Sequence, residues 1–127
     1  MRIVSILENQ KVEKRIAITP DIAKKYIALG FKISIIEKYG EHLGFKDRDY
    51  KELGVEISTN KSEVLSSADI IIQLGLLSEE EILNLKENQT LIGVLNPYAN
   101  KEKIGNLSKK NINIFSLEML PRITRAQ

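Results

Sequence analysis

Residues 68–74 read ADIIIQL, and residues 90–95 read TLIGVL. Each is a short, nearly unbroken apolar run, without the alternation of a strand that has one face in water. Such runs mark strands covered on both faces, and they are too short for a buried helix. Strands of that kind belong to a parallel sheet packed between helices, which requires the flanking chain to alternate strand and helix. It does so in both directions. Toward the N-terminus, RIVSIL (2–7), KISIIE (32–37) and residues 55–58 read as strands; toward the C-terminus, INIFSL (112–117) does.

Helical segments lie between them. Thr19-Pro20-Asp21 is a helix start: a hydroxyl cap, a proline suited to the first turn, and an acid for the positive end of the dipole. Ile22, Tyr26 and Leu29 then form an apolar stripe at helical spacing, and Gly30 ends the segment. Residues 47–53, ended by Gly54, and residues 60–66 read as short helices. Ser78 and Glu81 form a capping box ahead of Ile82, Leu83 and Leu85. Residues 100–109 read as a helix with Ile104 and Leu107 inward. Residues 39–46, with Gly40 and Gly44, read as a loop. The expected fold class is α/β: a Rossmann-like or flavodoxin-like three-layer sandwich with a mainly parallel sheet, helices on both faces and right-handed crossovers. No linker, repeat or second domain shows in the 127 residues.

Composition excludes much familiar chemistry. With 43% hydrophobic and 28% charged residues the chain can bury a core, and a net charge of +2 is too mild to imply nucleic acid. Cysteine is absent, so there is no disulfide framework, thiolate nucleophile or thiolate metal site. A single histidine, His42, argues against His-rich metal sites and a Ser-His-Asp triad, and no metal is expected. The N-terminus lacks the pattern of a secretory signal, and the longest apolar runs fall far short of the roughly 20 residues that span a bilayer. A soluble, intracellular domain is the expectation.

In doubly wound sheets ligands sit at the carboxyl ends of strands. The turn after the first strand, LENQKVEKRIAITP, has no glycine, and the glycines at 30, 40, 44, 54, 75, 93 and 105 form no GxG pair. Backbone amides therefore cannot close on a pyrophosphate there, and the domain is not expected to cradle one alone. Only Glu8 follows the first strand, against a receiver-type carboxylate cluster, and the Ser/Thr-rich loop of a flavodoxin is missing. Four places remain. Arg15 can hold a carboxylate or phosphate in a bidentate fork, or pair with Glu13 as a solvated loop arginine. Gln73, ending a buried strand, can contact a ligand or be an amide satisfied by loop backbone. Asn96-Pro97-Tyr98 is a ligand contact or a turn. The tail PRITRAQ, with Arg122, Arg125 and Gln127, is a contact loop or a frayed end. His42 reads as an exposed loop histidine, and Lys101-Glu102-Lys103 and Lys109-Lys110 as solvated faces.

Residues 15–20, RIAITP, with Glu8 and Glu13 upstream, resemble the N-terminal segment shared by alanine dehydrogenases and proton-translocating NAD(P) transhydrogenases. The helix ending in LGFKI and the ADIIIQ strand match the same family. The likeness covers essentially the whole chain and departs at Val4, Ile6 and Val12, where the family usually has Gly, Pro and Asn. Alanine dehydrogenases carry a substrate-binding lysine at the position of Gln73 and a catalytic histidine at that of Asn96. Imine hydration needs such acid–base groups, and this chain has neither. PRITRAQ is instead similar to the transhydrogenase loop that lies against the nicotinamide of NAD(H). That resemblance implies nicotinamide contacts from Arg122 and Gln127, with Ile123, Thr124 and Arg125 shaping the loop. It makes Arg15 the weaker candidate, since its inherited role is to bind a substrate carboxylate.

The resemblance further implies direct hydride transfer between NAD(H) and NADP(H), coupled to proton translocation. Hydride exchange between two nicotinamides needs positioning and exclusion of water, and no proton-transferring side chain. By the same likeness, residues 1–127 are the first lobe of the NAD(H)-binding component, ending inside a loop and inactive alone. NAD(H) is then held mostly by a downstream GxGxxG domain, and NADP(H) by a partner component. A membrane proton channel completes the complex, with the component dimeric and peripheral to the cytoplasmic side of the inner membrane. The alternatives are a lobe of an alanine dehydrogenase-like enzyme and a non-catalytic α/β binding module.

Overall fold

The structure is a computed structural model and describes residues 1–8, 15–75, 77–93 and 101–116. In chain order its elements are β1 (Arg2–Ser5), α1 (Pro20–Ala28), β2 (Lys32–Ile36), a 3-10 turn (Glu41–Leu43), α2 (Asp47–Glu52), β3 (Glu56–Ser58), α3 (Lys61–Ser66), β4 (Ile70–Gln73), α4 (Glu79–Ile82), β5 (Thr90–Gly93), α5 (Lys101–Lys109) and β6 (Asn113–Ser116). The strands form one sheet in the order β3-β2-β1-β4-β5-β6, and every pairing is parallel. This is the Rossmann order rather than the flavodoxin one, so the narrower of the two expected α/β forms is present.

The predicted punctuation operates as read. Thr19 Oγ1 accepts from Ile22 N at 3.4 Å with Pro20 in the first turn, and Asn60 Oδ1 accepts from Glu63 N at 3.3 Å. Ser78 Oγ accepts from Glu81 N at 3.2 Å while Glu81 Oε1 accepts from Ser78 N at 2.8 Å, which completes the capping box. Gly30 and Gly54 take φ of 98° and 97°, a region open to glycine at little cost, and turn the chain from α1 and α2 into the next strands.

Right-handed crossovers place α1 and α2 on one face of the sheet and α3, α4 and α5 on the other. The registers Ile3↔Ile33, Ile3↔Ile70 and Ile70↔Thr90 put Ile3, Ile33, Ile35, Ile70, Ile72 and Phe115 on the α1/α2 face. There β2 is sealed, whereas Ile70 and Ile72 of β4 are only half-buried, so the expectation that ADIIIQL is covered on both faces holds on one face alone. The described helices of that face pack over β2 and β3. Two smaller expectations also change. Leu29 caps the end of α1 and is 73% exposed, because the helix stops before the stripe returns to the core. Lys110 is not a solvated charge: its ammonium donates to the carbonyls of Ile82, Leu83 and Leu85 at 2.9, 3.2 and 3.2 Å, filling the C-terminal end of α4.

Candidate functional site

The sheet order reverses between β1 and β4, and the crevice beyond their carboxyl ends is where open α/β sheets bind ligands. Ser5 ends β1, Gln73 ends β4, and Glu8 lies just beyond β1. Gln73 is 2% exposed and uses its whole hydrogen-bonding capacity. Its Oε1 accepts from Ile6 N at 2.8 Å and lies 2.9 Å from the Ser5 hydroxyl; its Nε2 donates to Ile6 O at 3.1 Å and Glu8 Oε2 at 2.9 Å. The Glu8 carboxylate also accepts from Leu74 N at 2.8 Å and Gly75 N at 3.1 Å. A Cβ built at Gly75 would lie 3.3 Å from Glu8 Oε1, so the missing side chain lets carboxylate and amide meet. Of the two readings of Gln73, the satisfied amide is the observed one.

A second layer lies beneath. The Tyr39 hydroxyl accepts from Ala17 N at 3.0 Å and Ile18 N at 3.1 Å and donates to Ser5 Oγ at 2.8 Å. The Tyr50 hydroxyl donates to Ile18 O at 2.8 Å, and the two rings meet edge to face with centroids 6.1 Å apart. Burial pushes both hydroxyls above the usual tyrosine range; for Tyr39 the hydrogen bond with Ser5 opposes it.

Above these groups a cleft of about 410 Å³ opens between Leu7, Glu8, Gln73 and Leu77 on the sheet side and Lys61, Ser78, Glu81 and Lys103 on the helix side. Lys61 pairs with Glu81 at 2.9 Å. The described residues do not fit the phosphates of a dinucleotide. Ile6 N is taken by Gln73, Leu74 N and Gly75 N are taken by Glu8, and no glycine follows β1 to bring further amides close.

Arg15 is exposed at the start of segment 15–19, which Tyr39 and Tyr50 hold from below. His42 sits exposed in the 3-10 turn after β2. Arg122, Ile123, Thr124, Arg125 and Gln127, as well as Asn96, Pro97 and Tyr98, lie outside the described residues. Among the described residues no group of three or more His, Asp or Glu side chains is placed to hold a metal ion, and no helix is long and apolar enough to cross a membrane. Sequence reading missed the link between Ser5 and Tyr39. Its one signal is a serine inside the otherwise aliphatic run IVSIL, since a buried hydroxyl must find a partner.

Residues 6–127 match the family model described as alanine dehydrogenase/PNT, N-terminal domain. An NAD(P) transhydrogenase alpha subunit of Rickettsia prowazekii is 37% identical over 131 residues, spanning 100% of this chain and 34% of that protein. Alanine dehydrogenase 1 of Staphylococcus aureus is 26% identical over 127 residues, spanning 100% of this chain and 34% of that protein. A crystal structure of transhydrogenase from Sinorhizobium meliloti superimposes with a TM-score of 0.88 at 28% identity, over 98% of this chain and 37% of that one. The chain thus spans about a third of the length of these relatives. By sheet order, by the RIAITP segment and by a match over nearly its whole length, the chain belongs to the alanine dehydrogenase/PNT N-terminal domain family, on the side of the transhydrogenase alpha subunits.

Proposed function

We propose that residues 1–127 are the N-terminal lobe of an NAD(P) transhydrogenase alpha subunit and take part in direct hydride transfer between NAD(H) and NADP(H), coupled to proton translocation. The observation that carries this reading is the full-length likeness, 37% to a transhydrogenase alpha subunit against 26% to an alanine dehydrogenase. The site chemistry agrees with it. Where imine chemistry would want an ammonium at the end of β4, there is a neutral carboxamide with every hydrogen bond taken.

In this reading the lobe is a wall rather than a cradle. NAD(H) is substrate, held mostly by a downstream GxGxxG domain; NADP(H) sits on a partner component. A membrane proton-channel component completes the complex, on the cytoplasmic side of the membrane, and the NAD(H) component is a homodimer. Arg122 orients the nicotinamide end and Gln127 hydrogen-bonds beside it, with Ile123, Thr124 and Arg125 shaping the loop. Their work is to place one ring against the other and keep water out.

The test is a pair of assays on the assembled enzyme carrying this lobe. NADH should reduce an NADP⁺ analogue, and NAD-dependent alanine oxidation should be absent; alanine oxidation would overturn the reading. Arg122→Ala and Gln127→Ala should each lower hydride transfer by up to about a hundredfold, the scale of a misplaced reacting group. The isolated 127-residue chain should bind NADH very weakly. Submicromolar binding by it would count against a lobe that leaves the dinucleotide to another domain.

A further inference from the structure

We propose that Tyr39 is a positioning residue: its buried hydroxyl fixes segment 15–19, and with it Arg15, to the carboxyl end of β1 at the point where the sheet order reverses. Tyr39 is fully buried, and its single oxygen joins parts of the chain that no strand pairing joins. On one side are two consecutive amides, Ala17 N at 3.0 Å and Ile18 N at 3.1 Å; on the other is Ser5 Oγ at 2.8 Å. Ser5 Oγ continues to β4, 2.7 Å from Ile72 O and 2.9 Å from Gln73 Oε1. Gln73 reaches Glu8, and Glu8 reaches the amides after β4.

A hydrogen-bonded chain thus runs from segment 15–19 beneath the cleft to both strands of the crevice. Segment 15–19 belongs to no strand and lies between β1 and α1, so its amides have no ladder to satisfy them. Ile16 and Ile18 are buried, which drives the segment inward, but apolar contact alone does not set where its backbone stops. The directional bonds that Tyr39 accepts from Ala17 N and Ile18 N, and the one that Tyr50 donates to Ile18 O, set it.

The consequence for turnover rests on the proposed transhydrogenase reading, in which this end of the lobe walls the nicotinamide site. The consequence for the backbone does not rest on it. The experiment therefore has two arms. In the first, amide hydrogen exchange is followed on the 127-residue chain. Tyr39→Phe should speed exchange at Ala17 and Ile18 by about tenfold while Ile35 and Leu91 stay protected. Ser5→Ala keeps the tyrosine and removes its acceptor; it should speed the same two amides about threefold, and it is decisive where Tyr39→Phe fails to fold. Unchanged exchange at Ala17 and Ile18, or equal acceleration across the sheet, overturns the proposal.

In the second arm, on the assembled enzyme, Tyr39→Phe should lower kcat for hydride transfer about tenfold and leave KM for NADH within about twofold, because the phosphates are held elsewhere. A rise in KM with kcat unchanged overturns the positioning role. If the unmutated assembly transfers no hydride, the transhydrogenase reading fails, and the exchange arm alone decides whether Tyr39 positions the segment.

Discussion

The two halves of the sheet are built from the same kinds of residue and end in different environments. On the α1/α2 face, Ile33 and Ile35 of β2 are 1% and 0% exposed. On the same face beyond β1, Ile70 and Ile72 are half-buried and Phe115 is 53% exposed. Nothing in KISII against IIIQ or NIFS distinguishes them by hydrophobicity. The difference is topological: right-handed crossovers from β1 to β3 lay helices on this face, whereas those from β3 to β6 lay them on the opposite one. An apolar run thus tells that a strand lies inside a sheet; the order of strands tells how many of its faces are sealed.

The largest effect is expected where the seal is complete. Ile35→Ala removes three carbons from a fully buried site and should cost about 3 kcal/mol, the middle of the range for large-to-small core changes. Ile72→Ala, on the same face but half-buried, should cost about half as much. Urea unfolding of the two variants beside the unmutated chain measures both. Equal costs would break the distinction between the halves.

A smaller effect tests the polar layer of the sealed half. Tyr39 and Tyr50 have hydroxyls whose pKa is raised by burial above the ordinary tyrosine value of 10.0. Unfolding exposes them and restores the lower value, so between pH 10 and the folded values the unfolded chain binds fewer protons. Their contribution is therefore complete below about pH 10 and is lost as the pH rises, at up to about 1.4 kcal/mol per pH unit for each tyrosine. Urea midpoints measured from pH 7 to 11 should fall above pH 10, and Tyr50→Phe should shallow that fall. An alkaline limb of the same slope in both proteins would mean that Tyr50 is not sealed.

The alternation of β-branched runs with capped helices made the α/β class and nearly every element legible. Each signal is local: a capping box spans four residues, and Gly30 and Gly54 act on their own turns. The coarse location of the site was legible too, because a strand ending in Gln73 is a local feature. Its inner arrangement was not. Ser5, Tyr39, Ile18 and Gln73 are brought together only by the register of three strands, and Tyr39 lies in a stretch that reads as plain loop. The same limit explains Lys110. Its charge reads as solvated until α4 and α5 are side by side and the ammonium meets three carbonyls.

The smallest expected effect is the sharpest test of the open half. Phe115 lies on β6 with 53% of its surface in water, on the face that the described helices leave half-covered. Complete burial of a phenylalanine contributes about 1.5–3 kcal/mol, and roughly half of that area is still hydrated here, so Phe115→Ser should cost under about 1.5 kcal/mol. Loss of β-propensity at an edge strand adds a few tenths at most, since the residue has a paired neighbour on only one side. The comparison is with Leu91, in the neighbouring strand on the opposite face, which is 0% exposed and should cost about 3 kcal/mol when cut to Ala. A cost for Phe115→Ser as large as that for Leu91→Ala would show that the β4–β6 half is sealed on both faces in solution. The contrast between the halves would then disappear, and ADIIIQL would be a strand buried on both sides, as its unbroken apolar run implies.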